Sequence, residues 1–146
     1  MSENIDLSYK FNTMKKKHAL VLGATGSTGR ELVQLLLHNT NFTRVSIFVR
    51  RDVDVKHEKL KVYKIDFNKL NEYKNIINGD VLFSALGTTK KDAGNQKNQY
   101  LVDYTYQYQF ALIAAENGVS HYSLVSTIGA NNTSFFFYPR MKGQLE

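Results

Sequence analysis

The chain has 146 residues, about one domain's worth, and 42% of them are hydrophobic, enough for a core. It contains no cysteine, which excludes disulfides, thiolate zinc sites and cysteine nucleophiles. The net charge is +6, but the basic residues are scattered, with tight clusters only at Lys15-Lys16-Lys17, Arg50-Arg51 and Lys90-Lys91, so nucleic acid is not the expected partner.

Met1 to Lys17 is polar, with isolated Tyr9 and Phe11, and reads as a flexible arm. It has no apolar stretch of signal-peptide length, and no run in the chain approaches the roughly 18 apolar residues of a membrane span. A cytoplasmic protein without a membrane contact is expected, with residues 18–146 forming one domain. The first strand is predicted at His18–Leu22, followed by Gly23-Ala24-Thr25-Gly26-Ser27-Thr28-Gly29 and a helix from Thr28 to His38.

Strand, glycine turn and helix are the setting of a dinucleotide site. Gly23 permits a tight turn, Gly26 lets a diphosphate approach the backbone, and Gly29 lets the helix lie close to the sheet. The free N–H groups around Thr25, Ser27 and Thr28, at the positive end of the helix, then face the phosphates. A plain structural turn is the competing reading.

Strand two is predicted at Arg44–Val49, with Arg50, Arg51 and Asp52 at its carboxyl end. An acid there meets the 2′-hydroxyl of NAD, whereas an arginine meets the 2′-phosphate of NADP. Arg50 and Arg51 favour NADP, and Asp52 keeps NAD open. Strand three, Leu60–Ile65, ends in Asp66 and Phe67, either a polar contact and wall for adenine or, for Asp66, a helix cap. A short helix follows at Asn68–Ile77. Strand four, Asp80–Leu86, leaves Ala85, Leu86 and Gly87 where the cofactor's ribose would pass.

Gly87 to Gln99 is predicted as a polar loop, whose Lys90, Lys91 and Lys97 read chiefly as solvating charge. Tyr100 to Asn117 is a long helix stopped by Gly118. Its Tyr100, Tyr104, Tyr106, Tyr108 and Phe110 are spread too widely for one stripe, which predicts a second apolar face and a partner. Half-exposed tyrosines on a monomer are the alternative. Strand five is predicted at His121–Thr127, and Tyr138 opens a further helix. Strands alternating with helices predict an α/β fold of the Rossmann type. This is a doubly wound parallel sheet with helices on both faces and ligands at the strands' carboxyl ends.

Tyr138-Pro139-Arg140-Met141-Lys142 places a tyrosine and a lysine on one helical face. The ammonium would favour the phenolate, so that Tyr138 passes a proton to or from a carbonyl oxygen. Ser126 would hydrogen-bond the substrate oxygen, with Thr127 competing for that role. No metal site is read.

The Gly23–Gly29 loop, the Ser126 strand end and the Tyr138/Lys142 pair resemble the short-chain dehydrogenase/reductase superfamily. The motifs Leu86-Gly87-Thr88-Thr89, Ala93-Gly94 and Ser126-Thr127-Ile128-Gly129-Ala130 resemble its atypical NAD(P)-binding branch. The resemblance implies NADP(H) binding and a Ser126–Tyr138–Lys142 site, with Lys142 also holding the nicotinamide ribose. It further implies a homodimer through helix 100–117. Family members extend past the position of Glu146, so a domain incomplete at its carboxyl end is expected. The expected activity is NADP-dependent oxidoreduction of a small carbonyl or alcohol. The alternative is an NADP(H)-sensing module that regulates a protein partner with little turnover.

Overall fold

The computed structural model describes residues 15–146. Most of the expected arm therefore lies outside the described residues, and Lys17 already belongs to the first strand. Five parallel strands, β1 (Lys17–Leu22), β2 (Phe42–Val49), β3 (Leu60–Lys64), β4 (Val81–Ser84) and β5 (His121–Leu124), form a sheet in the order β3-β2-β1-β4-β5. The order reverses beside β1, whose neighbours are β2 and β4. That switch point is where open α/β sheets bind ligands.

β1 shows how the sequence makes a two-sided core. Ala19, Leu20, Val21 and Leu22 are fully buried, and alternate side chains face opposite layers. Leu20 and Leu22 join Phe48, Phe67, Leu82 and Phe110 on one side. Ala19 and Val21 join Val33, Leu36, Val45 and Ile47 on the other. Helix α1 (Ser27–His38) covers that second layer with Gly29, Val33, Leu36 and Leu37, while Leu35 points outward. In the first layer the Phe48 ring stacks on Tyr63 at 5.3 Å and meets Phe110 edge-on at 4.8 Å.

The polar segment 87–99 is not a loop. It carries the helical turns α2 (Lys90–Ala93) and α3 (Gln96–Tyr100). Thr89 caps α2 by accepting the Asp92 N–H, and Asn95 caps α3 by accepting that of Asn98. These are the side chains that favour helix starts, and here their capping outweighs the polar composition. The helix continues through a π-helical stretch, Leu101–Tyr106, into α4 (Gln107–Glu116), and Gly118 follows it at φ +86°. The short helix expected over Asn68–Ile77 is a 3₁₀ helix, Phe67–Ile76, broken at Lys69. The last helix is α5 (Phe137–Leu145).

The tyrosines of the long helix resolve into two stripes. Tyr106 and Phe110 are buried with Ile113 and Ala114. Tyr100, Tyr104 and Tyr108 stack outward at ring separations of 4.7 and 5.8 Å, and Leu112 extends the row. The four-residue spacing makes neighbours of those rings.

Candidate functional site

Gly23 leaves β1 at φ +77°, a conformation that disfavours any side chain, and a Cβ there would strike the Ala85 and Leu86 backbone. A Cβ on Gly29 would strike the Gly23 carbonyl, which is how closely α1 approaches the turn. Gly26 serves as the N-cap of α1 without a side-chain cap, and the first turn holds no acid. The amino end of α1 is thus a positive, backbone-lined edge with nothing anionic of its own. It opens onto a cleft of about 160 Å³ lined by Gly23, Thr25, Gly26, Arg50, Phe67 and Gly87, among others. Ser27 and Thr28 sit exposed on the helix's first turn, outside that lining.

Arg50 faces this cleft, and with Arg51 it also lines a wider cleft of about 570 Å³ against α2 and the long helix. Asp52 is engaged elsewhere: Lys64 Nζ donates to its carboxylate at 2.7 Å and holds its pKa below the usual range. An acid tied to lysine is a poor partner for a ribose hydroxyl. Asp66 is exposed and caps the 3₁₀ segment, accepting the Asn68 N–H at 2.9 Å, so of the Asp66-Phe67 pair only Phe67 walls the cleft.

Ala85, Leu86 and Gly87 line both this cleft and a second, of about 340 Å³, that runs on toward the carboxyl end of the chain. The second cleft gathers Ser126, Tyr138 and Lys142 with Thr88, Asp92 and Asp103. Pro139 sits in the first turn of α5, where no intrahelical bond is lost, so Tyr138 and Lys142 are presented on one helix. Ser126 lines the cleft and Thr127 does not.

The electrostatics depart from the expectation for Tyr138. Its pKa is raised, by burial first and then by the Asp103 charge, whereas a neighbouring ammonium was expected to lower it. The reason is geometric: Lys142 Nζ donates to the Val125 carbonyl at 3.2 Å. Burial lowers the pKa of Lys142, opposed by Asp103 and Glu146. Ser126 Oγ donates to the Glu146 carboxylate.

Sequence reading missed Asp103. It is 1% exposed, accepts the Thr88 N–H on Oδ1 at 3.1 Å, and has no partner among the described residues for its buried Oδ2. The signal was present: an acid between Leu101-Val102 and Tyr104-Thr105-Tyr106, where a core helix has no use for one. Lys90, Lys91 and Lys97 are exposed and face neither cleft.

A doubly wound parallel sheet, with an uncapped glycine turn at its switch point, defines a Rossmann-type nucleotide-binding protein. The chain belongs to the family described as NAD(P)H-binding, whose sequence pattern matches residues 23–145. It is 36% identical over 130 residues to "Protein FMP52, mitochondrial" of Debaryomyces hansenii, covering 88% of this chain and 58% of that protein. It is 35% identical over 137 residues to "Protein HTATIP2" of Rattus norvegicus, covering 91% and 56%. The chain therefore spans less than three fifths of those relatives. Among solved structures, an ADP-L-glycero-D-manno-heptose-6-epimerase of Helicobacter pylori shares the fold, with a TM-score of 0.72 and 17% identity over 90% of this chain and 50% of that one. The NAD(P)-binding character that the sequence resemblance implied is thus borne out by the family match, and the Rossmann-type fold by the solved structure.

Proposed function

We propose that this chain is the nucleotide-binding part of an NADP-dependent oxidoreductase. Hydride would pass between the nicotinamide, which supplies or accepts it, and the carbon of a small carbonyl or alcohol. The carrying observation is the continuity of the two clefts through Ala85, Leu86 and Gly87. A dinucleotide laid with its diphosphate on the amino end of α1 would reach Tyr138 and Lys142 along that path. The Thr25–Gly29 turn binds the phosphates through backbone N–H groups. Arg50, and more distantly Arg51, takes a 2′-phosphate, and Phe67 walls the adenine. In the reducing direction Tyr138 Oη gives its proton to the carbonyl oxygen as the carbon gains hydride. Its raised pKa suits the donor's part, because the hydroxyl stays protonated near neutrality. Ser126 orients the substrate oxygen, and Lys142 holds the nicotinamide ribose.

One observation favours a second reading, a nucleotide-sensing module with little turnover. The Ser126 hydroxyl is directed to Glu146 and the Lys142 ammonium to Val125, so neither is aimed at a substrate. NADPH oxidation against a panel of carbonyl compounds separates the two. Turnover that Tyr138→Phe abolishes while NADPH binding survives supports the enzyme. Binding without turnover supports the sensor.

The outward row of Tyr100, Tyr104, Tyr108 and Leu112 supports a homodimer through this helix. Sedimentation of Tyr104→Lys as a monomer beside a dimeric parent tests it. No helix among the described residues is long and apolar enough to cross a membrane. A cytoplasmic site of action remains our proposal beside the word "mitochondrial" in the name of the FMP52 relative, and fractionation of the full-length protein decides it.

A further inference from the structure

Asp103 has no part in the reading above, yet the backbone around it is unusually elaborate. It lies in the π-helical stretch Leu101–Tyr106, a geometry that recurs at functional sites. The Gln107 side chain donates to the Asp103 carbonyl at 2.8 Å and to the Leu86 carbonyl at 2.9 Å, and it accepts from Ser84 Oγ at 2.6 Å. A side chain inserted into the carbonyl ladder is one way a helix is widened. Thr88 N–H fixes one carboxyl oxygen. Gly87 leaves room for it, since a Cβ there would come within 3.0 Å of Oδ1. The other oxygen, Oδ2, is buried without a partner among the described residues, and Asp103 lines the cleft it shares with Tyr138 and Lys142.

Lys142 is the complementary case. It is 3% exposed, and the one hydrogen bond of its ammonium among the described residues, to the Val125 carbonyl, leaves donors unused. A buried carboxylate or ammonium alone is costly, and a pair facing one cavity relieves both. Resting on the proposed role of Tyr138 and Lys142, we infer that Asp103 is a positioning residue. Its carboxylate balances the buried Lys142 ammonium across the cleft and keeps that ammonium charged beside Tyr138 and the bound ribose. The other charged or titratable groups facing this pair are Tyr138 on α5, Asp92 on α2 and Glu146, whose charge also acts on Lys142. Asp92 and Glu146 are exposed and each already accepts a hydroxyl, Thr89 Oγ1 at 2.7 Å and Ser126 Oγ, which leaves Asp103 as the buried carboxylate of the three, its Oδ2 without a partner among the described residues.

Asp103→Asn separates this role from a structural one. The asparagine oxygen still accepts the Thr88 N–H, so a merely structural residue is rescued. The charge is lost, and burial then acts on Lys142 with less opposition. The readout is an NMR titration of the Lys142 side chain, assigned through Lys142→Arg. We expect its midpoint to fall by about one pH unit in Asp103→Asn and to be largely restored in Asp103→Glu. An unmoved midpoint overturns the inference. Should Asp103→Asn fail to fold, the same coupling is read from the other side. In Lys142→Met the Asp103 carboxyl must titrate about one unit higher than in the parent, and an unshifted carboxyl again overturns it. Neither titration requires turnover. A coupled pair in a chain that oxidises no NADPH removes the oxidoreductase reading alone, and turnover with uncoupled groups removes this inference alone.

Discussion

At the amino-terminal end the cleft runs along the backbone of the glycine turn, with Arg50 and Phe67 facing it. Gly23, Gly26 and the uncapped first turn of α1 need no side chain to do their work, and two of the three loop glycines are enforced by collisions with neighbouring backbone. The adjoining cleft, toward the carboxyl-terminal end, is walled by side chains from distant stretches: Asp103 from the π-helical stretch, Ser126 beyond β5, Tyr138 and Lys142 from α5. The first end is rigid because sterics allow one arrangement. At the second, the Ser126 hydroxyl already donates to Glu146, and the Lys142 ammonium donates to the Val125 carbonyl with donors to spare. On the proposed reading, the serine has a hydrogen bond to exchange when a substrate arrives, while the amino end of α1 has no side-chain cap to give up.

That contrast can be broken most sharply at Tyr138. If the side-chain end carries chemistry, Tyr138→Phe lowers turnover about a thousandfold, near 4 kcal/mol of barrier, and leaves NADPH affinity within about twofold. Steady-state kinetics beside calorimetry read both quantities. Next in size is the backbone end. Gly29→Ala forces a methyl group against the Gly23 carbonyl and is expected to cost about 3 kcal/mol of stability by urea denaturation, with nucleotide binding lost. A variant that binds normally would show the turn to be merely structural.

Arg50→Ala sharpens the comparison where the two ends meet the adenosine half. NADPH affinity should fall about tenfold, some 1.4 kcal/mol, with NADH hardly affected. Arg51→Ala should do less, since Arg51 does not line the cleft beside the glycine turn. The smallest effect lies at the base of the sheet, away from both ends. His18 is half-buried beside Ser46, to which its Nε2 lies at 2.8 Å, and burial followed by the Arg44 charge lowers its pKa. The unfolded chain therefore binds a proton that the folded chain refuses. Stability contributed by the neutral ring is fully present above the ordinary histidine value of about 6.5 and is lost as the pH falls below it. Denaturation midpoints at successive pH values should show that slope, and His18→Gln should flatten it.

Much of the fold and of the backbone end of the site is legible in the amino-acid order. The five strands, the helix α1, the glycine turn and the placing of Arg50 follow from alternation, apolar spacing and residue types that act locally. The short helices within 87–99 are hidden because Thr89 and Asn95 serve equally well in loops and in caps. Asp66 is ambiguous for the same reason, and its neighbour Asn68 settles it as a cap.

By itself the sequence determined a parallel α/β sheet with an anion-ready turn, because glycine spacing and strand alternation are constraints within a few residues of chain. Only the tertiary structure decided that Ser126, not Thr127, lines the cleft, that Asp52 is taken by Lys64, and that Asp103 and Lys142 line one cleft. Asp52 and Lys64 lie 12 positions apart and Asp103 and Lys142 lie 39 apart, and their placing depends on how the chain packs, which no local pattern encodes.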